Sequence, residues 1–226
     1  MPHTPQEAQF ASRIGRACDA LGLVYDSAQI DALLGYLRAM QRWNKTYNLT
    51  ALRDPEQMLV QHVLDSLSVV PPLVAHFGAD QPRTVCDIGS GGGLPGVVIA
   101  VMVPAWQVQC IDAVEKKTAF VRQMTGALRL PNLRATHARV ESLPAQNADI
   151  VISRAFASLH DFATWSGQHV APDGVLVGMK GKSPDDEIEA LHAATSWRVD
   201  HIDALEVPEL HAQRCLVWMC RTIGTP

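Results

Sequence analysis

The sequence predicts an α/β fold, a mostly parallel sheet with helices on both faces, preceded by a helical extension. Three observations predict it. Short apolar, β-branched stretches recur after residue 82, at TVCDI, VQCID, DIVIS and GVLVGMK. Helical patterns separate them, notably VEKKTAFVRQMTGAL and ASLHDFATWSGQHV. In RTVCDIGSGGGLPGVVIA, Arg83 to Ala100, five glycines crowd between Gly89 and Gly96, after a strand-like run and before a helix-like one. Strands alternating with helices imply parallel strands buried on both faces. In such folds ligands sit beyond the carboxyl ends of the strands.

Taken in order, residues 5–77 read as helices. DSAQIDALLGYLRAMQRW places Ile30, Leu33, Leu34, Leu37 and Met40 on one helical face. Asp26 or Ser27 supplies its cap. WNKTYNLTAL is too polar and turn-rich to belong to this helix or the next. Asp54-Pro55 signals another helix, running through MLVQHVLDSLSVV and limited by Pro71-Pro72. Beyond the sheet pattern, WRVDHIDALEV and QRCLVWMCRT form a closing antiparallel pair. Residues 1–80 are thus a helical extension and residues 81–226 the α/β domain, together one compact unit.

The 226 residues are 47% hydrophobic and 19% charged, with a net charge of −4, an ordinary globular balance. A nucleic-acid partner must therefore meet a local positive patch. The five cysteines show no CxxC and no zinc-finger spacing, so they read as small buried hydrophobes, without a metal site. MPHTPQEAQFASRIGR lacks the apolar core of a signal peptide, and no apolar run approaches a membrane span. These features predict a cytoplasmic protein.

Dense glycine is costly in an ordinary loop, because glycine loses the most backbone entropy on folding. Glycines after a first strand permit tight turning and close backbone approach, next to a helix amino terminus with free N–H groups. Gly181-Lys182-Ser183 ends like a phosphate loop, but Leu176 stands where its leading glycine belongs. Gly91 to Gly96 matches the dinucleotide pattern G-x-G-x-x-G. The register favours S-adenosylmethionine: Asp87 ends the strand two residues before Gly89, placed to orient the loop and meet the amino-acid end of the cofactor. Asp112 ends the next strand, 21 residues beyond Gly91, where an acid accepts from ribose hydroxyls of either cofactor. The dinucleotide and a purely structural turn stay open on these residues alone.

In order along the chain, RWNKTYNLTALRD, HVLDSLSV, DIGSGGGLPG, IDAVEKKTAF, ARVESL, DIVISRAFASL and GMKGK resemble the RsmG (GidB) family of bacterial small-subunit rRNA methyltransferases. The resemblance spans nearly the whole chain, and RCLVWMCRT is its loosest part. It implies a class I S-adenosylmethionine-dependent methyltransferase, Rossmann-like, with a seven-stranded sheet whose last strand is antiparallel. It implies methylation of guanine N7 in the 530 loop of 16S rRNA, within the small ribosomal subunit, by a monomer. By position it assigns the cofactor to Gly89, Leu94, Val140, Glu141 and Arg154, with Asp112 on the ribose.

Guanine N7 carries a free lone pair, so the chemistry needs positioning and field rather than a base or a metal. His62 reads as a satisfied structural histidine. Arg139 and Arg154 follow predicted strands at the ligand edge, and Arg139 and Lys180 are the catalytic candidates. Lys180 and Lys182 flank Gly181, placed either for rRNA phosphate or for solvent. Arg38, Arg42, Lys45 and Arg53 concentrate charge around Trp43 and Tyr47, the pattern of an RNA-loop surface. Trp43 is instead expected to pack against the sheet domain.

Overall fold

The computed structural model describes residues 4–154 and 156–222; Ala155, inside the SRAFASL motif, and both chain ends lie outside the described residues. Helix α1 (Pro5–Ala20) opens with a reciprocal cap between Thr4 and Glu7. Asp26 caps α2 (Ser27–Tyr47), and Ile30, Leu33, Leu34, Leu37 and Met40 form its buried face as expected, joined by Tyr36.

Helix α2 runs four residues further than its pattern suggests. Asn44 is polar but buried: its amide nitrogen donates to Leu52 O (2.8 Å) and its oxygen accepts from Thr50 N–H (2.9 Å). One turn apart, Trp43 and Tyr47 lie 4.8 Å ring to ring. The helix stops only at Asn48, in the left-handed region at φ 50°.

The next helical stretch is composite: α3 (Pro55–Met58), a π-helical turn (Leu59–Leu64), α4 (Asp65–Leu67) and α5 (Val70–Phe77). Pro71 and Pro72 begin α5 rather than end the stretch, because a first helical turn does not need their N–H groups. By length and composition Pro55–Phe77 could cross a membrane, contrary to the expectation that no run is long enough, but most of it is buried inside the protein.

Strands β1 (Thr84–Ile88), β2 (Gln107–Asp112), β3 (Leu133–His137), β4 (Ala148–Ser153), β5 (Val170–Lys180), β6 (Trp197–Ala204) and β7 (Cys215–Arg221) form one sheet. Its order is β3-β2-β1-β4-β5-β7-β6, with β7 antiparallel to both neighbours and β1 to β5 parallel. The closing antiparallel pair is present. Edge strand β3 is only partly buried, so its apolar pattern is weak in the sequence. Between strands run α6 (Gly96–Met102), α7 (Glu115–Ala127), α8 (Leu159–Ser166) and α9 (Asp185–Ala194).

Successive side chains point to opposite faces, and two cores result. Ile150, Ile152, Val177 and Trp218 join the extension's Phe10, Ile14, Leu33 and Leu59 on one face. Val151, Leu176, Val217 and Met219 pack on the other with Phe162 and Leu191. The extension therefore shares its core with the sheet. Parallel register brings the carboxyl ends of β1, β2, β4 and β5 to one edge.

Candidate functional site

The glycine loop turns at that edge. Gly89 and Gly91 adopt φ 65° and 58°, a region closed to β-branched residues at ordinary cost. Gly96 is required for a different reason: a Cβ there would lie 2.6 Å from Cys110 Sγ and 2.9 Å from Asp87 Oδ2. Asp87 is wholly buried beneath the loop, and its Oδ2 accepts from Gly96 N–H at 2.7 Å. Among the described residues its Oδ1 has no hydrogen-bond partner. Burial pushes the Asp87 carboxyl up to about 7, against the lowering influence of the Gly96 hydrogen bond and of Arg154. Asp87 is thus placed to orient the loop from beneath, as expected, and it is not among the residues that line the cavity at this edge.

Asp112 ends β2 and holds the loop from the other side. Its Oδ2 accepts from Gly91 N–H (2.8 Å) and its Oδ1 from Val114 N–H (2.8 Å). A cavity of about 180 Å³ opens here, lined by Gly89, Asp112, Arg139, Val140, Glu141 and Trp165. The structure thus brings five expected residues together. Phe156 also lines it, stacked on Phe162 at 5.0 Å and edge-on to Trp165 at 5.8 Å. The sequence reading did not single out Phe156 or Trp165; the signal available was an aromatic after β4 and another in α8. Leu94 lies in the core instead, and its N–H closes the glycine turn on Ser90 O (2.9 Å).

Arg154 is placed in a second cavity, about 410 Å³, with His62, Asp65, Lys180 and Arg214. The π-helical turn presents Gln61 and His62 there, and Asp65 follows it at the start of α4; such turns are often found at functional sites. Asp65, only 3% exposed, accepts from Arg214 Nε on Oδ1 (2.8 Å) and from Arg154 on Oδ2 (3.3 Å). Arg154 also donates to Gln61 O at 3.1 Å. Two guanidinium groups against one carboxylate leave this cavity cationic. HVLDSL contains Asp65, but no local pattern in the sequence assigns a role to it or to Arg214.

His62 is bonded at both ring nitrogens, Nδ1 to Gln61 O (3.1 Å) and Nε2 to Thr50 Oγ1 (2.9 Å). Burial and then Arg154 lower its pKa to about 4, so it is neutral at pH 7. Lys180 pairs with Glu187 (2.8 Å) and donates to Phe156 O and Ala157 O, while Glu187 accepts from Leu159 N–H. It ties β5 to the starts of α8 and α9. Lys182 is exposed.

The basic stretch divides. Arg38 pairs with Glu7 at 2.7 Å, and Arg53 donates to Asn44 O and Asn48 Oδ1 at the end of α2. Arg42 and Lys45 stand exposed. Trp43 packs on Phe120 of α7 at 5.5 Å, as expected. A further cavity, about 640 Å³, lies at the opposite end of the strands among Gln29, Pro104 and Asn132, and shares no residue with the loop. Among the described residues no group of His, Cys, Asp and Glu is arranged to hold a metal.

A family profile described as "rRNA small subunit methyltransferase G" matches residues 29–217. A protein of that name from Bordetella petrii is 66% identical over 213 residues, 94% of this chain and 84% of that one. Another from Bordetella avium is 59% identical over 225 residues, covering 100% of both. Among solved structures, an Aquifex aeolicus S-adenosylmethionine-dependent methyltransferase superposes with TM-score 0.55 at 18% identity, over 76% of this chain and 96% of that one. A Leishmania major S-adenosylmethionine-dependent methyltransferase gives TM-score 0.58 at 14% identity, over 82% and 83%. The fold is that of the class I methyltransferases.

Proposed function

This chain belongs to the rRNA small subunit methyltransferase G family, and on that premise we propose that it methylates N7 of a guanine in the 530 loop of 16S rRNA. S-adenosylmethionine supplies the electrophilic methyl group. The observation that carries the reading is the glycine loop held between Asp87 and Asp112, opening onto a cavity at the carboxyl edge of β1 and β2.

In this reading Asp112 accepts from the ribose, and the wall of Val140, Glu141, Phe156 and Trp165 holds the base of the cofactor. Asp87 sets the loop and offers its free oxygen toward positive charge. The neighbouring cationic cavity takes the acceptor. Guanine presents O6 and N7 as acceptors on one edge, and arginine is the side chain best matched to that edge. Arg154 and Arg214, held by Asp65, are the candidates to orient the base through O6 while N7 stays free. Arg139, at the rim of the cofactor cavity, contributes field and orientation.

No proton has to leave N7 before transfer, and the residues agree. His62 is held neutral by burial and by the nearby Arg154, with both ring nitrogens already hydrogen-bonded, and Lys180 is engaged by Glu187. Neither is placed as a free base. Positioning then carries the rate. A cytoplasmic monomer acting on the small subunit is the setting this reading implies. The test is to map N7-methylguanine by chemical scission in 16S rRNA from cells with and without this gene. The expected result is one modified guanine in the 530 loop, present only with the gene. An unchanged map would remove the reading.

A further inference from the structure

The helical extension touches the cofactor loop directly. Tyr36 of α2 is fully buried, and its hydroxyl donates to Gly92 O at 2.7 Å. Met40, one turn on, lies so close that a Cβ on Gly92 would come within 2.7 Å of its methyl group. At the far end of α6, Gln29 Nε2 of the same helix donates to Val101 O (2.9 Å) and Met102 O (3.3 Å). Helix α2 therefore lies along α6 and grips the loop–helix unit at both ends. The Tyr36 hydroxyl bond falls on the middle glycine of Gly91-Gly92-Gly93. The loop's other tethers, Asp87 to Gly96 and Asp112 to Gly91, come from the sheet side.

We infer that Tyr36 is a positioning residue for the cofactor, making the extension a support of the cofactor loop rather than only an RNA-facing addition. A glycine-rich turn has many conformations open to it, and each tether removes some before ligand arrives. The buried hydroxyl fixes the Gly92 carbonyl, which keeps Gly91 and Gly93 at their positive φ and the loop amides where Asp112 can hold them. Losing the hydroxyl leaves a carbonyl without its partner and a freer loop. Gln29, at the distant end, holds α6 without touching the loop.

The inference rests on the glycine loop being the cofactor site, and the experiment separates the two. Calorimetric titration with S-adenosylhomocysteine, alongside thermal melting, is run on the wild type, Tyr36→Phe and Gln29→Leu. Tyr36→Phe keeps the ring and its packing on Phe120. It is expected to weaken binding by about fivefold or more. Gln29→Leu is expected to lower the melting temperature while leaving affinity unchanged. Equal affinity in Tyr36→Phe and wild type would overturn the inference and leave the cofactor reading standing. No binding by the wild type would overturn both. If Tyr36→Phe fails to fold, hydrogen exchange on the wild type decides. The Gly93 and Leu94 amides should be protected before ligand is added, and fast exchange there would overturn the inference.

Discussion

Asp87 shows how one residue can carry structure and titration together. Its carboxyl titrates at about 7 in the folded protein because burial penalises the charge. The sign follows by linkage: a folded-state pKa above the unfolded one gives stability that is full below about pH 4 and lost as pH rises through about 7. Urea midpoints should therefore fall between pH 4 and 8 in the wild type. Asp87→Asn should flatten that fall; an identical slope would contradict the assignment. Ionised Asp87 also favours a cationic ligand, so S-adenosylmethionine affinity should rise through the same window. The single-turnover rate at saturating cofactor and RNA should stay flat from pH 5.5 to 8, because His62, lowered to about 4, is already neutral there. A step in that rate that vanishes in one side-chain variant would point to proton abstraction.

At the scale of elements, the start of α4 and the end of α2 each make a claim. Asp65 pairs with two arginines that line one cavity, both about a quarter exposed. Asp65→Asn should cost about 2 kcal/mol, less than a fully buried pair because both guanidinium groups retain solvent. It should lower methylation more than it lowers S-adenosylhomocysteine affinity. Equal losses in both would place Asp65 in the cofactor site instead. In α2, only Arg42 and Lys45 are expected to meet phosphate. Neutralising that pair should make the salt slope of RNA binding shallower by about 1.4. Neutralising Arg38 and Arg53 should change stability rather than slope. A steep slope kept by the Arg42–Lys45 variant would mean the RNA lies elsewhere.

What the sequence disclosed at this scale follows from what each feature needs. The glycine loop was legible because positive φ at Gly89 and Gly91 and the crowding of Gly96 admit one residue type. The apolar runs of β4, β5 and β7 were legible because both faces of these strands are buried. The second cavity was not, because its partners lie 89 and 149 residues apart and only folding joins Asp65 to Arg154 and Arg214. Helix α2 ran past its pattern because Asn44 satisfies both ends of its amide in a loop that local spacing does not reveal.

For the whole molecule, extension and sheet share a core that runs from Phe10 and Leu33 to Ile152 and Trp218. Unfolding should be one transition by circular dichroism and tryptophan fluorescence alike, and residues 81–226 alone should not fold, since removing the extension exposes one face of the sheet. Two separated transitions would divide the chain into independent units. Charge is divided as well: Asp185, Asp186, Glu187, Glu189, Asp200, Asp203, Glu206 and Glu209 fall along α9 and β6 to the turn before β7. RNA is therefore expected at the α2 side.

The central claim is that this glycine loop delivers a methyl group to guanine N7. The direct measurement incubates purified protein with methyl-labelled S-adenosylmethionine and small subunits lacking the modification, then locates the label by nuclease digestion and mass spectrometry. The wild type should place one label as N7-methylguanine in the 530 loop, and Gly91→Val, which forces a β-branched residue to φ 58°, should place none while remaining folded. Label on another atom or another RNA, or undiminished transfer by Gly91→Val, would contradict the account.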